Sequence, residues 1–400
     1  MTGLIVFKYL AWQFGPAIFG LLTQVIGIAS IFYLFAGGGI TNGVIRNISA
    51  TPSDVERRRW MSAGTTITIL SSIALVAVAV ALALFGEHAL FGEPGFKLVF
   101  VGIAAAQVLV GFGNLALAYF SGIGDNRTFA TIQIVANILS LALLVLFTES
   151  VGLHGAIFGL ILGPATTGAV ALWRFSRNAP HYNMFHVVWN WPLLKNLLSY
   201  AAVMASSVAA VPLAQLLIRI DLSDRLGWEA VGYWQAVAKI SDANMQFIGV
   251  IIINYLLPQL SSRQDAMSAL RVLFRMGAQL LGLLVAVCAL IYAARYYLIL
   301  IIYSEEFLTA SNLILPQLLG DTFKAATLLL YYYFMSRGRV LIVFVSELAL
   351  GIVIYVLYLI MVPSHGAIAP IYAYTAAYAG ALLLMTGLLL VTKQAAFSSR

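Results

Sequence analysis

The chain has 400 residues, of which 62% are hydrophobic and only 9% are charged. Water-soluble domains carry about 25% charged residues, so this composition excludes a soluble protein and predicts one whose main solvent is lipid. The 22 basic residues outnumber the 15 acidic ones, for a net charge of +7, and this excess has to be compared with the positive-inside rule before a nucleic-acid partner is considered.

The predicted elements are apolar helices separated by polar turns. A short apolar piece, 2–13, comes first and ends at a turn over Phe14–Pro16. A crossing needs about 20 apolar residues, so this piece has about half the length of a span. Eleven longer runs follow, at 18–48, 61–85, 96–121, 128–149, 152–174, 195–219, 230–259, 267–293, 308–335, 339–361 and 364–391. We therefore predict an all-α, polytopic membrane protein with about 12 transmembrane helices.

The basic residues show a strong bias between the two sides of this predicted topology. If the loop after 18–48 is cytoplasmic, fifteen of the 22 lysines and arginines fall on the cytoplasmic side and four on the other. The positive-inside rule then predicts a multi-pass membrane protein with a cytoplasmic C-terminus. The basic excess is thereby accounted for, and no nucleic-acid partner is expected.

Two sequence matches predict an internal duplication. The tetrapeptide His154–Ile157 recurs at His365–Ile368, an offset of 211, and each copy opens an apolar run. A second match, at an offset of 212, pairs four residues of the first half with four of the second: Gly20, Gly37, Asn42 and Ser49 with Gly232, Gly249, Asn254 and Ser261. Because six spans per repeat is an even number, the two repeats would run parallel.

The repeat also predicts the domain organisation. We expect an N-terminal six-helix bundle over 1–178, a cytoplasmic linker over 179–194 and a C-terminal six-helix bundle over 195–400. The second repeat begins near Lys195, and the same offset places the start of the first repeat about 17 residues before Met1. The first transmembrane helix is therefore expected to lack its front half.

Charged residues within the predicted spans of the second half are candidates for a binding site, because a charge at the bilayer centre costs about 3 kcal/mol. Helical spacing places Lys239, Asp242 and Gln246 on one face, either lining a cavity or forming a private ion pair that lets the helix insert. Asp321 and Lys324 have the same two alternatives. Glu347 is a lone carboxylate, either a titrating group or the partner of a nearby cation.

In the first half, a glycine-rich segment interrupts a long predicted helix. Gly37, Gly38 and Gly39 weaken the helix and predict a hinge or a binding site. Asn42 and Arg46, four residues apart, share a face there, although Arg46 could equally anchor the helix at the cytoplasmic interface. Close helix packing is the alternative role for the glycines. Asn114 in the fourth span is a softer candidate for cavity lining.

No pattern in the sequence indicates catalysis or a metal. The single cysteine, Cys288, lies in an apolar run and is expected to be a buried hydrophobic residue. The five histidines lack metal-ligand spacing, and neither a Ser-His-Asp set nor a nucleotide-binding loop is present. We therefore predict no catalytic residues, no metal and no cofactor.

These residues resemble a known family, the Wzx-type polysaccharide flippases of the MATE/polysaccharide-transporter superfamily. The similarity is greatest to those that act in enterobacterial common antigen and O-antigen synthesis. The matching segments cover almost the whole chain in order: Phe14–Pro16, Gly37–Arg46, Gly113–Asn114, Val231–Gln235, Ile240–Asp242, Gln246–Phe247, Tyr255–Pro258, Leu319–Asp321 with Lys324, Ser346–Glu347 and Pro363–Ala367. The incomplete first helix is the one departure from the family pattern.

The resemblance implies two six-helix bundles around a central cavity in the bacterial inner membrane. It also implies translocation of an undecaprenyl-pyrophosphate-linked oligosaccharide from the cytoplasmic to the periplasmic leaflet by alternating access. The implied partners are this substrate, membrane lipid, and the polysaccharide polymerase and chain-length proteins. As a hypothesis, the cations Arg46, Lys239 and Lys324 attract the pyrophosphate, and the amides Asn42, Asn114 and Gln246 bind sugar. The carboxylates Asp242, Asp321 and Glu347 tune the cations or carry protons. The hinge residues are Gly37, Gly38, Gly39 and Pro258.

Two alternatives stay open on the sequence. A multidrug or metabolite antiporter of the same superfamily would need an acidic, apolar cavity that binds cations, and the lysines inside the predicted spans argue against it. An integral-membrane O-antigen polymerase or ligase would need a long external loop with catalytic residues, whereas the predicted external loops are short.

Overall fold

The computed structural model describes residues 2–92, 94–177, 185–263 and 265–398. All regular structure in these ranges is helical, and the predicted all-α class is confirmed. The α-helices are α1 (Thr2–Phe35), α2 (Thr41–Ser49), α3 (Asp54–Ala81), α4 (Glu87–Phe91), α5 (Lys97–Gly122), α6 (Asn126–Val151), α7 (Leu153–Arg177), α8 (Trp191–Ile251), α9 (Leu257–Ser261), α10 (Ala266–Ala293), α11 (Arg295–Ile302), α12 (Ile314–Ser336), α13 (Val340–His365) and α14 (Ala369–Ser398). One-turn π-helices, Leu82–Gly86 and Ile252–Leu256, join α3 to α4 and α8 to α9.

Nine stretches of the described chain are long and apolar enough to cross a membrane. Two of them, Ala209–Ser261 and Val340–Val391, have 53 and 52 residues and are each long enough for two crossings. Glycines with positive φ interrupt both, at Gly227 (φ 82°) and Gly366 (φ 56°). Each of the eleven predicted apolar runs overlaps one of these stretches, and the multi-pass architecture is confirmed.

The glycine-rich segment interrupts the helix as the sequence predicts. Gly37, Gly38 and Gly39 all adopt positive φ, at 79°, 70° and 66°, so α1 ends at Phe35 and α2 begins at Thr41. Residues with a β-carbon disfavour this left-handed region by roughly 1–2 kcal/mol each, which is why three glycines can make this break. Whether the break serves as a hinge stays a prediction.

The chain forms two compact units. We call Leu22–Ala209 the N-terminal unit, and Gly3–Leu21 together with Ala210–Arg400 the C-terminal unit. The start of α1 thus belongs to the C-terminal unit. These units are defined by contacts within the fold, whereas the predicted bundles and linker are defined by the sequence repeat. The bundles and the linker therefore stay a prediction. Residues 179–184 of that linker, with Pro180 and His181, lie outside the described residues.

In each unit, two helices approach closely at small residues. In the N-terminal unit, a β-carbon on Gly113 of α5 would lie 2.2 Å from Cα of Gly168 in α7. In the C-terminal unit, a β-carbon on Gly351 of α13 would lie 2.6 Å from the backbone of Ala210 in α8. Helices that pack in lipid commonly use small residues in this way.

Candidate functional site

A buried carboxylate lies inside the C-terminal unit. The side chain of Asp321, on α12, is fully buried. Its Oδ1 atom accepts hydrogen bonds from three uncharged side chains: Ser241 Oγ at 2.6 Å, Tyr374 Oη at 2.9 Å and Gln317 Nε2 at 3.3 Å. Gln317 also donates to Ser241 Oγ at 3.0 Å. The carboxyl group is therefore positioned jointly by α8, α12 and α14.

The second oxygen of Asp321, Oδ2, is buried and has no hydrogen-bond partner among the described residues. Leaving a buried polar atom unpaired costs about 1–3 kcal/mol, so an atom of this kind often indicates a functional role. A proton, a cation or a substrate hydroxyl would each satisfy it.

Lys324 lies one helical turn from Asp321 but does not form an ion pair with it. The ion pairs within 4.0 Å in the described part of the chain include Arg57–Asp54, Arg225–Asp221 and Lys239–Asp242, and none of these involves Lys324. The Lys324 Nζ atom lies instead 5.6 Å from the ring centroids of both Tyr374 and Tyr378. Aromatic faces attract a cation without neutralising its charge. The cation of Lys324 is therefore not cancelled by direct contact with a carboxylate.

Lys239 and Asp242 form the ion pair that their spacing predicts. Nζ of Lys239 lies 3.0 Å from Oδ2 of Asp242 on α8. The pair is only partly shielded, with side-chain exposures of 21% for Lys239 and 45% for Asp242. The ammonium also lies 5.4 Å from the ring centroid of Phe7, in α1. Of the predicted cations, Lys239 is therefore partly accessible and is paired to a carboxylate on its own helix.

This ion pair lines a cavity of about 340 Å³ in the C-terminal unit. Gln246 lies on the same wall, one helical turn beyond Asp242 and two turns beyond Lys239. The three residues predicted to share a helix face therefore all line this cavity. The remaining lining residues are mostly apolar, from α1 and α8: Gly3, Leu4, Phe7, Ala243, Phe247 and Val250. A wall of this mixed character can bind a polar group and an apolar one side by side.

Asp242 also lines a second, smaller cavity. It has a volume of about 40 Å³ and is lined by Asp242, Ser241, Gln317, Lys324 and Tyr374, together with apolar residues. Three of these residues contact the Asp321 carboxylate. Asp242 is thus the one charged side chain that lines both of these described cavities.

Glu347, on α13, is half-buried. Its carboxylate lies close enough to Tyr331, Tyr332 and Tyr378 to interact with them electrostatically. Tyr378 also contacts Lys324 through its ring. Glu347 therefore belongs to the same polar region as Lys324, through a shared tyrosine.

The remaining predicted site residues lie in the N-terminal unit. Arg46, exposed on α2, donates a hydrogen bond to the hydroxyl of Tyr200 and lies 5.7 Å from its ring centroid. Asn42 is exposed on the same helix, and Asn114 is half-buried on α5. The prediction that these three act on substrate therefore concerns a different unit from Lys239 and Asp321.

Pro258, the fourth predicted hinge residue, lies in the first turn of α9 directly after the π-helical turn Ile252–Leu256. Its side chain is exposed. A π-helical turn marks a local departure from regular helical hydrogen bonding, and such turns are frequent at functional sites. The hinge role of Pro258 stays a prediction.

Four residues of the site are not among those predicted from the sequence: Phe7, Ser241, Gln317 and Tyr374. Gln317 could have been found, because it lies four residues before Asp321 and shares its helix face. Ser241 lies between Lys239 and Asp242 and could have been noted as a polar residue within a span. Nothing in the sequence links Tyr374 or Phe7 to the site, because the contacts come from helices distant along the chain.

No group of three or more histidine, cysteine, aspartate or glutamate residues in the described chain is arranged to hold a metal ion. Cys288 is buried, as expected, and its sulfur lies 3.7 Å from Nδ2 of Asn244.

The sequence matches the family described as "Polysaccharide biosynthesis protein" over residues 1–264. The chain belongs to this family. It is also 26% identical over 397 residues to the lipid III flippases of Escherichia coli (strain K12) and Shigella flexneri, and the match covers 99% of this chain and 95% of each relative. The predicted family resemblance is confirmed.

Two solved structures have a similar fold to this family member. One is a multidrug resistance MATE family transporter of the MOP superfamily in an inward-facing conformation, with a TM-score of 0.77 at 15% identity, covering 98% of this chain and 95% of that one. The other is the lipid II flippase MurJ in an inward closed conformation, with a TM-score of 0.77 at 14% identity, covering 97% of this chain and 85% of that one. At these identities the similarity establishes the fold.

Proposed function

We propose that this protein is a flippase that moves an undecaprenyl-pyrophosphate-linked oligosaccharide, such as lipid III or an O-antigen unit, from the cytoplasmic to the periplasmic leaflet of the bacterial inner membrane. Similarity over nearly the whole chain to relatives named lipid III flippases supports this function. We propose transport by alternating access, with no enzymatic step.

The observation that carries the proposal is the placement of Lys239. Its ammonium lines a cavity of about 340 Å³ beside an amide, a carboxylate and two phenylalanines. A pyrophosphate with sugars attached cannot cross hydrocarbon unaided, because each unpaired polar group costs several kcal/mol there. A cation in a partly polar cavity provides a binding position for such a headgroup. The prenyl tail can stay in lipid, where each CH₂ contributes about 0.8 kcal/mol.

The other predicted residues are given roles within this proposal. Gln246 on the cavity wall, with Asn42 and Asn114 in the N-terminal unit, would bind sugar hydroxyls, and Arg46 would attract phosphate. Asp242, Asp321 and Glu347 would couple transport to an ion or a proton. We propose hinge movements at Gly37–Gly39 and Pro258.

We also propose the topology and partners that the sequence predicts. The charge bias of fifteen to four supports a cytoplasmic C-terminus. The two six-helix bundles, 1–178 and 195–400 with the linker 179–194 between them, follow the sequence repeat. Polysaccharide polymerase and chain-length proteins are the protein partners that a flippase of this class would serve.

Complementation tests the proposal. Bacterial strains that each lack one defined flippase would receive the wild-type gene, Lys239→Gln or Arg225→Gln, and surface glycan would be measured. Arg225 is a matched control, because it is another basic residue of α8 in an ion pair, 2.7 Å from Asp221, but it lines neither cavity. We expect wild type and Arg225→Gln to restore export in one strain and Lys239→Gln to fail with normal membrane insertion. Failure of the wild-type gene in every strain would contradict the proposal.

The antiporter alternative is favoured by one observation, the unpaired buried oxygen of Asp321, which could bind a cation. An antiporter would give drug resistance on overexpression that depends on Asp321 and is independent of Lys239. A flippase would give glycan export that depends on both residues. Resistance profiling of the same variants therefore separates the two functions.

A further inference from the structure

Asp242 lines two cavities, and each of these cavities is also lined by a lysine. Its Oδ2 atom is 3.0 Å from Nζ of Lys239, which lines the cavity of about 340 Å³. The same aspartate lines the cavity of about 40 Å³, where Lys324 is also a lining residue. Lys324 has no carboxylate within 4.0 Å in the described part of the chain. Asp242 thus shares a cavity with each of two lysines and forms an ion pair with only one of them, Lys239.

The charges around the two cavities do not favour an anion as they stand. The region contains two ammonium groups, Lys239 and Lys324, and three carboxylates, Asp242, Asp321 and Glu347. An anion that approaches Lys239 meets a neutral ion pair, because Asp242 already occupies the ammonium. A pyrophosphate therefore has to compete with this carboxylate for the cation.

We infer that, before substrate binds, the Asp242 carboxylate holds the position beside the Lys239 ammonium that the substrate's pyrophosphate later takes. The arriving pyrophosphate then displaces this carboxylate towards Lys324. This inference rests on the proposed function. Pyrophosphate carries more negative charge than a carboxylate and binds a cation with several oxygens, so it can replace Asp242. Asp242 is a positioning residue in this account, because it acts through the two lysines and does not touch the substrate.

The local structure permits the displacement at low cost. The Asp242 side chain is 45% exposed, and a change of rotamer moves its carboxylate without moving α8. The small cavity of about 40 Å³ has room for a few water-sized groups, so it can accept the carboxylate. The ammonium of Lys324 lies near two aromatic faces and has no carboxylate within 4.0 Å among the described residues, so its charge is available. The displaced aspartate therefore exchanges one ammonium partner for another.

Binding of substrate would in this way change the small cavity. The Lys324 ammonium already interacts electrostatically with Asp321. Once Asp242 approaches it, this ammonium gains a second anionic neighbour. Substrate binding in the large cavity is thereby linked to the charge balance beside the unpaired oxygen of Asp321. A ligand shifts such an equilibrium only through its different affinity for the two arrangements, and competition for Lys239 supplies that difference.

Binding of a pyrophosphate probe to the purified full chain in detergent tests the inference. Farnesyl pyrophosphate is the probe, farnesol is the control that lacks phosphate, and affinity is measured by thermophoresis. Asp242→Asn keeps the size of the side chain and removes its competing charge, so we expect it to tighten farnesyl pyrophosphate binding roughly fivefold. Farnesol binding should not change. Asp221→Asn, in the other ion pair of α8, should leave both affinities unchanged.

A second substitution separates the role of Lys324 from direct phosphate binding. If Lys324 receives the displaced carboxylate, Lys324→Met should weaken probe binding roughly threefold when Asp242 is present and should have no effect in the Asp242→Asn background. An equal loss in both backgrounds would show that Lys324 binds phosphate itself and would overturn the inference. Unchanged or weaker binding in Asp242→Asn would overturn it as well.

The two proposals fail in distinguishable ways. Complementation by the wild-type gene together with no tightening in Asp242→Asn overturns the displacement of Asp242 and leaves the proposed function intact. If neither wild type nor Asp242→Asn binds the probe, the inference is overturned. The independent complementation result then decides whether the proposed function fails as well.

Discussion

The Tyr374 hydroxyl donates a hydrogen bond of 2.9 Å to Oδ1 of Asp321, and the ring of the same tyrosine lies 5.6 Å from the ammonium of Lys324. One aromatic side chain on α14 thus contacts both charged residues of α12. This arrangement keeps the carboxylate and the ammonium near each other without pairing them. It leaves both charges available for a transported substrate or a coupling ion.

Asp321→Asn should reduce glycan export about tenfold or more while leaving folding intact. The asparagine carbonyl can still accept hydrogen bonds from Ser241 and Tyr374, so the melting temperature in detergent should change little. Only the charge and the unpaired oxygen are lost. Tyr374→Phe is the matched comparison, because it removes one hydrogen bond and retains the carboxylate. Export by Asp321→Asn at the wild-type rate would exclude Asp321 from the mechanism.

The helices could be predicted from the sequence, but only part of the site could. Long apolar runs between polar turns locate the spans, and three adjacent glycines locate the break before Thr41. Two lysine–aspartate pairs with the same spacing then behave differently. Lys239 binds Asp242, whereas the Asp321 carboxylate is held by uncharged donors and does not pair with Lys324. The deciding donor, Tyr374, is 53 residues from Asp321, and no helical periodicity reveals such a contact.

Gly113→Ala should destabilise the N-terminal unit by about 1–3 kcal/mol, because the added methyl group would meet the backbone of α7 at 2.2 Å. Gly102→Ala is the matched control on the same helix. Its methyl group would lie 3.5 Å from the side chain of Ile161, an ordinary van der Waals separation. Thermal unfolding in detergent should show a lower melting temperature for Gly113→Ala alone. Equal melting temperatures would contradict the close packing of α5 and α7.

Gly38→Ala should impair the break between α1 and α2. Its φ of 70° costs an alanine roughly 1–2 kcal/mol, and the methyl group would also approach Cγ2 of Ile67 at 2.5 Å. Gly249→Ala is the control, because this glycine is helical and, among the described residues, the added methyl group would meet nothing within 4 Å beyond its own stretch of helix backbone. Alanine there should stabilise α8 slightly. We expect export to fall only in Gly38→Ala. Unchanged export in that variant would remove the predicted hinge.

Asp125 provides a pH-dependent test of a helix cap outside the membrane-spanning segments. Its carboxylate accepts a hydrogen bond of 3.0 Å from the backbone N–H of Thr128, at the start of α6. This hydrogen bond, with one from the threonine hydroxyl, lowers the pKa of Asp125 below its usual value. A lowered pKa means that the cap contributes fully above the unfolded pKa of about 3.9 and is lost as the pH falls through the folded value.

Substitutions at Asp125 separate the cap from its charge. Asp125→Ala should lower the free energy of unfolding by about 1 kcal/mol at pH 7, because it removes the carboxylate that accepts the hydrogen bond from Thr128. Asp125→Asn keeps an acceptor that does not titrate, so it should match wild type at pH 7 and lose less stability on acidification. Melting temperatures of the three proteins across an acidic series would check this. A parallel loss in wild type and Asp125→Asn would show that the cap is not the titrating element.

The central claim is that Lys239 and its cavity bind the pyrophosphate headgroup of a lipid-linked oligosaccharide during transport. The most direct measurement is translocation in proteoliposomes that contain the purified protein and a fluorescent prenyl-pyrophosphate-linked glycan, with quenching of the outer leaflet as the readout. We predict that wild type and Arg225→Gln translocate the glycan and that Lys239→Gln, inserted equally well, does not. Translocation by Lys239→Gln at the wild-type rate would contradict the claim.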